Sequence, residues 1–216
     1  MARRDPRSLP RLHTLTLGAI VAAATLGATV AAATLGACEL RVDTDDGEVR
    51  LRWDAPSTVD EVAVIGDAVV EIRVTPWRSR AVVLPRGEDA LGGLALDASG
   101  GRLSLVGETG PGAVAVVETP RLDRVRLVGD GRVTIYDVAG DPLALTLVGA
   151  GVLWAEGWTH ELRLDARGGG SVGASGLWAD TGGVALGAST HAEVCVRGGL
   201  DATVDEGASL VRRCTE

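Results

Sequence analysis

The side chains able to do chemistry are few, and their types already restrict it. Three histidines (His13, His160, His191) and three cysteines (Cys38, Cys195, Cys214) accompany 29 acidic and 21 basic residues. Every basic residue is arginine, so Schiff-base, P-loop-lysine and Ser-x-x-Lys chemistry are excluded for this chain. Arginine is also a poor proton abstractor, because its guanidinium keeps its proton far above neutral pH. A glycoside hydrolase needs clustered carboxylates, and the best candidates are Asp130, Asp137 and Asp141. They fall in Gly- and Pro-containing corners, where turn chemistry accounts for them. Ser175 stands in Gly-Ala-Ser-Gly-Leu, whose last residue breaks the G-x-S-x-G elbow. Gly168-Gly169-Gly170-Ser171 lacks both the lysine and the following helix of a phosphate loop, and lacks the Asp of a calcium nonapeptide. The expectation is no catalytic residue, no resident metal and no cofactor.

The elements that must position these residues show a period. First glycines of short corners stand at 129, 149, 168, 187 and 207, separated by 20, 19, 19 and 20 residues. Before each corner apolar residues alternate with polar ones, as in Val125 and Leu127, Leu143 to Leu147, Leu162 to Ala166, and Leu200 to Val204. Period two is a strand with one buried face. After the corner comes a second brief apolar run, Val133 and Ile135 or Val152 and Trp154. No segment after residue 38 holds a helical stripe for ten residues. The predicted fold is all-β: a single-stranded parallel β-solenoid with rungs of about twenty residues. Residues 119–211 form the regular rungs and residues 59–118 an irregular β part that begins and caps the stack. Five Trp, one Tyr and no Phe suit a narrow aliphatic interior.

Register then makes specific claims. Trp158 and Trp178, 20 residues apart, fall on adjacent rungs as stacked core or flank aromatics, ahead of a sugar-binding platform. Cys195 and Cys214 are 19 apart, so their Cα atoms come within disulfide reach and would staple the last rung. His160 and His191, 31 apart, fall on different sides of the coil, which argues against a shared metal.

The N-terminal part reads as an address. Arg3, Arg4, Arg7 and Arg11 precede an uncharged stretch from Thr14 to Ala37 that ends in Leu35-Gly36-Ala37-Cys38. A basic n-region, an apolar h-region and small residues before a cysteine make residues 1–37 a lipoprotein signal peptide and Cys38 the lipidated residue. The chain would then be extracytoplasmic, which permits a disulfide, and held to the membrane by its lipid. Residues 38–58, with Asp43, Asp45, Asp46 and Glu48, read as an acidic tether. A net charge of -8, with no Arg-rich run after residue 11, excludes a nucleic-acid partner.

Several stretches resemble the bacterial family called the putative auto-transporter adhesin, or head GIN, domain. They are Val59-Asp60-Glu61-Val62-Ala63-Val64-Ile65-Gly66 running on to Val74, Gly100 to Leu105, Arg124 to Val133, and Gly199 to Val211. The likeness covers about 59–211 within a domain of 59–216. Ser189 and Ser209 replace second glycines, and the tail Arg-Arg-Cys-Thr-Glu lacks the family's aromatic-Gly-Pro ending. The resemblance implies a parallel β-solenoid at the bacterial cell envelope and brings no catalytic residues. The expected function is a lipid-anchored structural or adhesin-like protein. It would present a repetitive surface to a glycan, an envelope surface or a copy of itself, through ligand-binding residues that the sequence does not assign. The alternative is a carbohydrate-active enzyme or glycan-binding module.

Overall fold

The computed structural model describes residues 39–45, 48–55, 59–78, 81–87 and 93–214. The expected signal peptide (1–37) and the expected lipidation site Cys38 lie outside them. Among the described residues sixteen strands follow in chain order. The first eight are β1 (Glu39–Asp45), β2 (Glu48–Asp54), β3 (Glu61–Gly66), β4 (Val69–Val74), β5 (Val82–Arg86), β6 (Leu94–Ser99), β7 (Arg102–Gly107) and β8 (Val114–Thr119). The rest are β9 (Arg124–Val128), β10 (Arg132–Gly140), β11 (Leu143–Val148), β12 (Val152–Arg167), β13 (Ser171–Leu186), β14 (His191–Val196), β15 (Leu200–Val204) and β16 (Ser209–Arg212).

From Arg124 onward the strands pair in parallel, each with residues 17–20 further along. Val125 faces Leu145, Leu145 faces Leu164, Leu164 faces Val184 and Val184 faces Ala202. A second ladder carries Val133, Leu153, Val172, Ala192 and Leu210 in register. Strands β12 and β13 bend from one ladder into the other. Alternation puts the aliphatic residues inside, and Leu127, Ile135, Leu145, Leu147, Leu153 and Leu162 are among the largest fully buried side chains. Among the residues whose burial is described, no tryptophan lies in the core.

The expectation of a purely parallel β-solenoid is not met. The sheet is mixed: β6 runs antiparallel to β7, β5 to β8, β2 to β5 and β1 to β2. It curves over its core as an open half-barrel. Order in space also departs from order in sequence, because β3 lies between β7 and β9 while β4 lies between β8 and β10. The physical reason is that periodicity reports which face of a strand is buried, not which partner it takes or in what direction. Where a twenty-residue unit returns the chain to its neighbour, parallel pairing follows. Between β4 and β7 the chain instead folds back, and its strands cover the stack by reversed pairing. Residues 39–45 and 48–54, read from their charge as part of a tether, form the β1–β2 hairpin that joins β5.

Glycine is demanded at the corner between ladders. Gly129 and Gly149 have φ of 125° and 127°. A Cβ at Gly149 would stand 2.4 Å from the Gly129 carbonyl oxygen, and one at Gly129 would stand 2.6 Å from that of Gly66. Consecutive corners thus stack backbone on backbone, with no room for a side chain.

The C-terminus is pinned. Cys195 in β14 and Cys214 beyond β16 are joined by a disulfide with Cα atoms 4.5 Å apart. Arg212 adds hydrogen bonds from Nε to the Val196 carbonyl (2.7 Å) and from Nη2 to that of Gly198 (2.9 Å). Replacing Cys214 with serine is expected to cost about 3 kcal/mol by releasing a loop of this length in the unfolded chain. Hydrogen exchange of the 209–212 amides against the parent protein checks it; unchanged protection would show that the strand needs no staple.

Candidate functional site

The residues singled out by chemistry do not converge. Asp130 sits in a corner, where its Oδ1 accepts from the Ala150 amide at 3.1 Å. Asp137 has φ of 60°, the left-handed conformation that a short polar side chain tolerates. Asp141 lies 3.6 Å from the Arg121 guanidinium, which Asp123 holds more closely at 2.7 Å. The hydrogen bond that Arg121 donates to Asp123, the Asp123 charge and then that of Asp141 raise the Arg121 pKa above its ordinary value. Ser175 is buried. His160 Nδ1 lies 3.2 Å from Asp180, whereas His191 Nε2 lies 3.8 Å from Glu193. Among the described residues no three His, Cys, Asp or Glu side chains group as a metal site.

What the fold does bring together is an outward strip along β12 and β13. These strands, 16 residues each, pair from Val152 opposite Ser171 to Ala166 opposite Leu186. Trp158 stands opposite Trp178. The rings lie on the outer face, with Trp158 exposed to 41%, Trp178 to 37% and nearby Trp154 to 42%. Glycines seat them. A Cβ at Gly173 would fall 2.2 Å from Trp154 Cε3, and one at Gly140 would fall 2.9 Å from Trp158 Cζ3. Each six-membered ring therefore rests where a neighbouring strand carries no side chain. Trp158 meets the His160 ring edge-on, with centroids 4.5 Å apart, and the Arg197 guanidinium lies 4.4 Å from the Trp178 ring centroid.

Alternation lapses at the corner, where His160 and Glu161 on one strand and Asp180 and Thr181 on the other are successively outward. Beyond it the strip continues as a shallow trough of about 390 Å³. Gly183 and Ala185 form its floor, Arg163 and Asp165 one wall, Asp201 and Thr203 the other. A Cβ at Gly183 would meet nothing within 4 Å. Two of the trough's carboxylates have cationic partners: Arg163 Nε donates to Glu161 at 2.7 Å and Arg167 Nε to Asp165 at 3.0 Å. The Glu161 hydrogen bond and charge raise the Arg163 pKa above its ordinary value. Where the sequence pattern pairs Val152 with Trp154 as the apolar stretch, the structure instead buries Leu153 and Ala155 and turns Trp154 outward.

Residues 81–214 match the family described as "Putative auto-transporter adhesin, head GIN domain". Among solved structures, a putative adhesin from Bacteroides fragilis NCTC 9343 is 12% identical, with a TM-score of 0.53 over 77% of this chain and 94% of that one. A putative adhesin from Parabacteroides distasonis ATCC 8503 is 11% identical, with a TM-score of 0.46 over 74% of this chain and 94% of that one. At these identities the likeness to the first is one of fold. None of the curated proteins matches the chain.

Proposed function

Since the chain belongs to the head GIN family of putative auto-transporter adhesins, we propose that it is a lipid-anchored, extracytoplasmic domain of the bacterial envelope with an adhesive or structural role. It displays rows of side chains to a partner surface. The observation that carries the reading is the in-register parallel pairing: positions such as Arg163, Gly183 and Asp201, or Thr134, Trp154, Gly173 and Glu193, fall on single outward lines. Equivalent positions on neighbouring strands lie about 4.8 Å apart. Such rows offer many weak contacts over an extended face, whereas an enzyme concentrates a few groups in a cleft. The family name supports the envelope assignment, and the Leu35-Gly36-Ala37-Cys38 quartet supports the anchor. An acidic body would be held to a membrane by acyl chains rather than by its own face.

The test is the full chain in a bacterial host fed a fatty-acid probe. Wild type is expected to incorporate label and partition with membranes, and Cys38→Ala to lose essentially all label and become releasable by washing. Persistent labelling of Cys38→Ala would end the anchor reading. Absence of wild-type protein from the envelope fraction would end the display reading.

A further inference from the structure

We infer that Trp77 is a second membrane contact of this domain, seated in the headgroup layer beside the acyl chains of Cys38, and that the two points together fix which end of the sheet faces the bilayer. The inference rests on the lipid-anchor reading above and adds an orientation to it. Trp77 is exposed to 83%, whereas Val106, the next most exposed of the described large apolar residues, reaches 43%. A single exposed apolar side chain is ordinary on a protein surface, but an indole this bare leaves a large apolar area in water. It also stands on a segment that is held in place. The Thr75 amide donates to the Thr119 carbonyl at 2.7 Å, the Arg78 amide donates to the Thr75 carbonyl at 2.9 Å, and the Arg78 guanidinium pairs with Glu118. Both flanks of the ring are thus tied to the last two residues of β8.

The position of this turn in the sheet names the partner. Strand β1 begins at Glu39, so no spacer separates it from Cys38, the residue that would carry the lipid. Register then runs across the sheet: Glu39 faces Asp54, Asp54 faces Val82 and Val82 faces Glu118. Glu39 is therefore three strand spacings, about 14 Å, from the end of β8 that holds the Trp77 turn. The chain enters β1 at Glu39 and leaves β8 at Thr119, so the peptide bond to Cys38 and the Trp77 turn lie at one end of the sheet.

With acyl chains inserted there and no slack between lipid and strand, the surface around that end lies against the headgroups. An indole prefers this layer, where its ring body meets apolar carbon and its N–H keeps a polar partner. Tethering makes the second contact intramolecular, so a contact too weak to recruit the protein from solution is enough to orient it. Two carboxylates beside the turn carry cationic partners: Glu118 pairs with Arg78, and Asp123 pairs with Arg121, which lines the same small hollow as Pro76. That pairing lowers the repulsion an anionic headgroup layer would meet. Once Cys38 is acylated the bilayer is at this end in every molecule, whereas a second copy of the chain must be recruited to it.

The experiment uses the full chain purified from bacterial membranes, with the acyl mass on Cys38 read by mass spectrometry. It is reconstituted in phosphatidylethanolamine–phosphatidylglycerol vesicles that contain acyl-brominated lipid, which quenches tryptophan fluorescence on contact. The chain holds five tryptophans, so the quenched component is assigned by difference. It is expected to disappear in Trp77→Ala and to persist in Trp154→Ala, whose ring lies on the outer face of β12. Trp77→Ala should keep its acyl mass, and its melting temperature should match wild type, because so exposed a side chain contributes little to folding. Acylated wild type without a quenched component would overturn the inference and leave the anchor standing. So would equal loss in the two variants, or a Trp77 emission shifted to the blue yet unquenched, as burial against a second copy would leave it. Absence of the acyl mass would overturn both readings.

Discussion

Gly149→Ala should destabilise the protein by about 3 kcal/mol, the sum of a strained positive φ and a lost backbone hydrogen bond. At φ of 127° a Cβ would press 2.4 Å from the Gly129 carbonyl oxygen. That oxygen already accepts from the Gly151 amide at 3.1 Å, so it cannot retreat without giving up its partner. For a domain of this size the change corresponds to a fall in melting temperature of roughly 10 °C. Gly183→Ala serves as the comparison, since its Cβ meets nothing and its backbone is ordinary strand; it should change stability by less than about 0.5 kcal/mol. Thermal and urea unfolding of the two variants decide it. Equal stabilities would mean that the corner column has slack the structure does not show.

Leu153→Ala should cost about 2–5 kcal/mol, because Leu153 is fully buried between Val133 and Val172 and its removal leaves a cavity in a close-packed stack. Trp154→Ala, the larger deletion by volume, should cost under about 1 kcal/mol, since that ring lies on the outer face. The ordering of these neighbours in urea unfolding reports which way residues 152–155 face. A greater loss at Trp154 would reverse the assignment of inside and outside along β12 and remove the aromatic strip with it.

That assignment also shows where sequence reasoning stops. Around Val125, Leu127, Leu145 and Leu147 polar residues separate the apolar ones, so the buried face is legible in one dimension. Across Val152-Leu153-Trp154-Ala155 all four residues are apolar, and alternation has no phase to read. Pairing of Leu153 with Val133 supplies it. Ala202 and Val204 show a different limit: they continue the inward column of Val184 and Leu186, yet they are exposed because β15 has no further strand beyond it. The glycine spacing located the corners at 129, 149 and 168, but Gly66, which precedes Gly129 in the same column, lies 63 residues away and carries no periodic signal.

The sequence by itself determined the all-β character, the twenty-residue return of the chain after Arg124, the alignment of Trp158 with Trp178 and the absence of lysine chemistry. These are properties of residue type and spacing, which act over one or two strands. Only the tertiary structure decided that β3 and β4 insert between later strands, and that β5 pairs antiparallel with β8 and β6 with β7. Strand direction and partner are set by where backbone hydrogen bonds and apolar faces can be satisfied together across long separations in the chain. That choice is made in three dimensions and leaves no period behind.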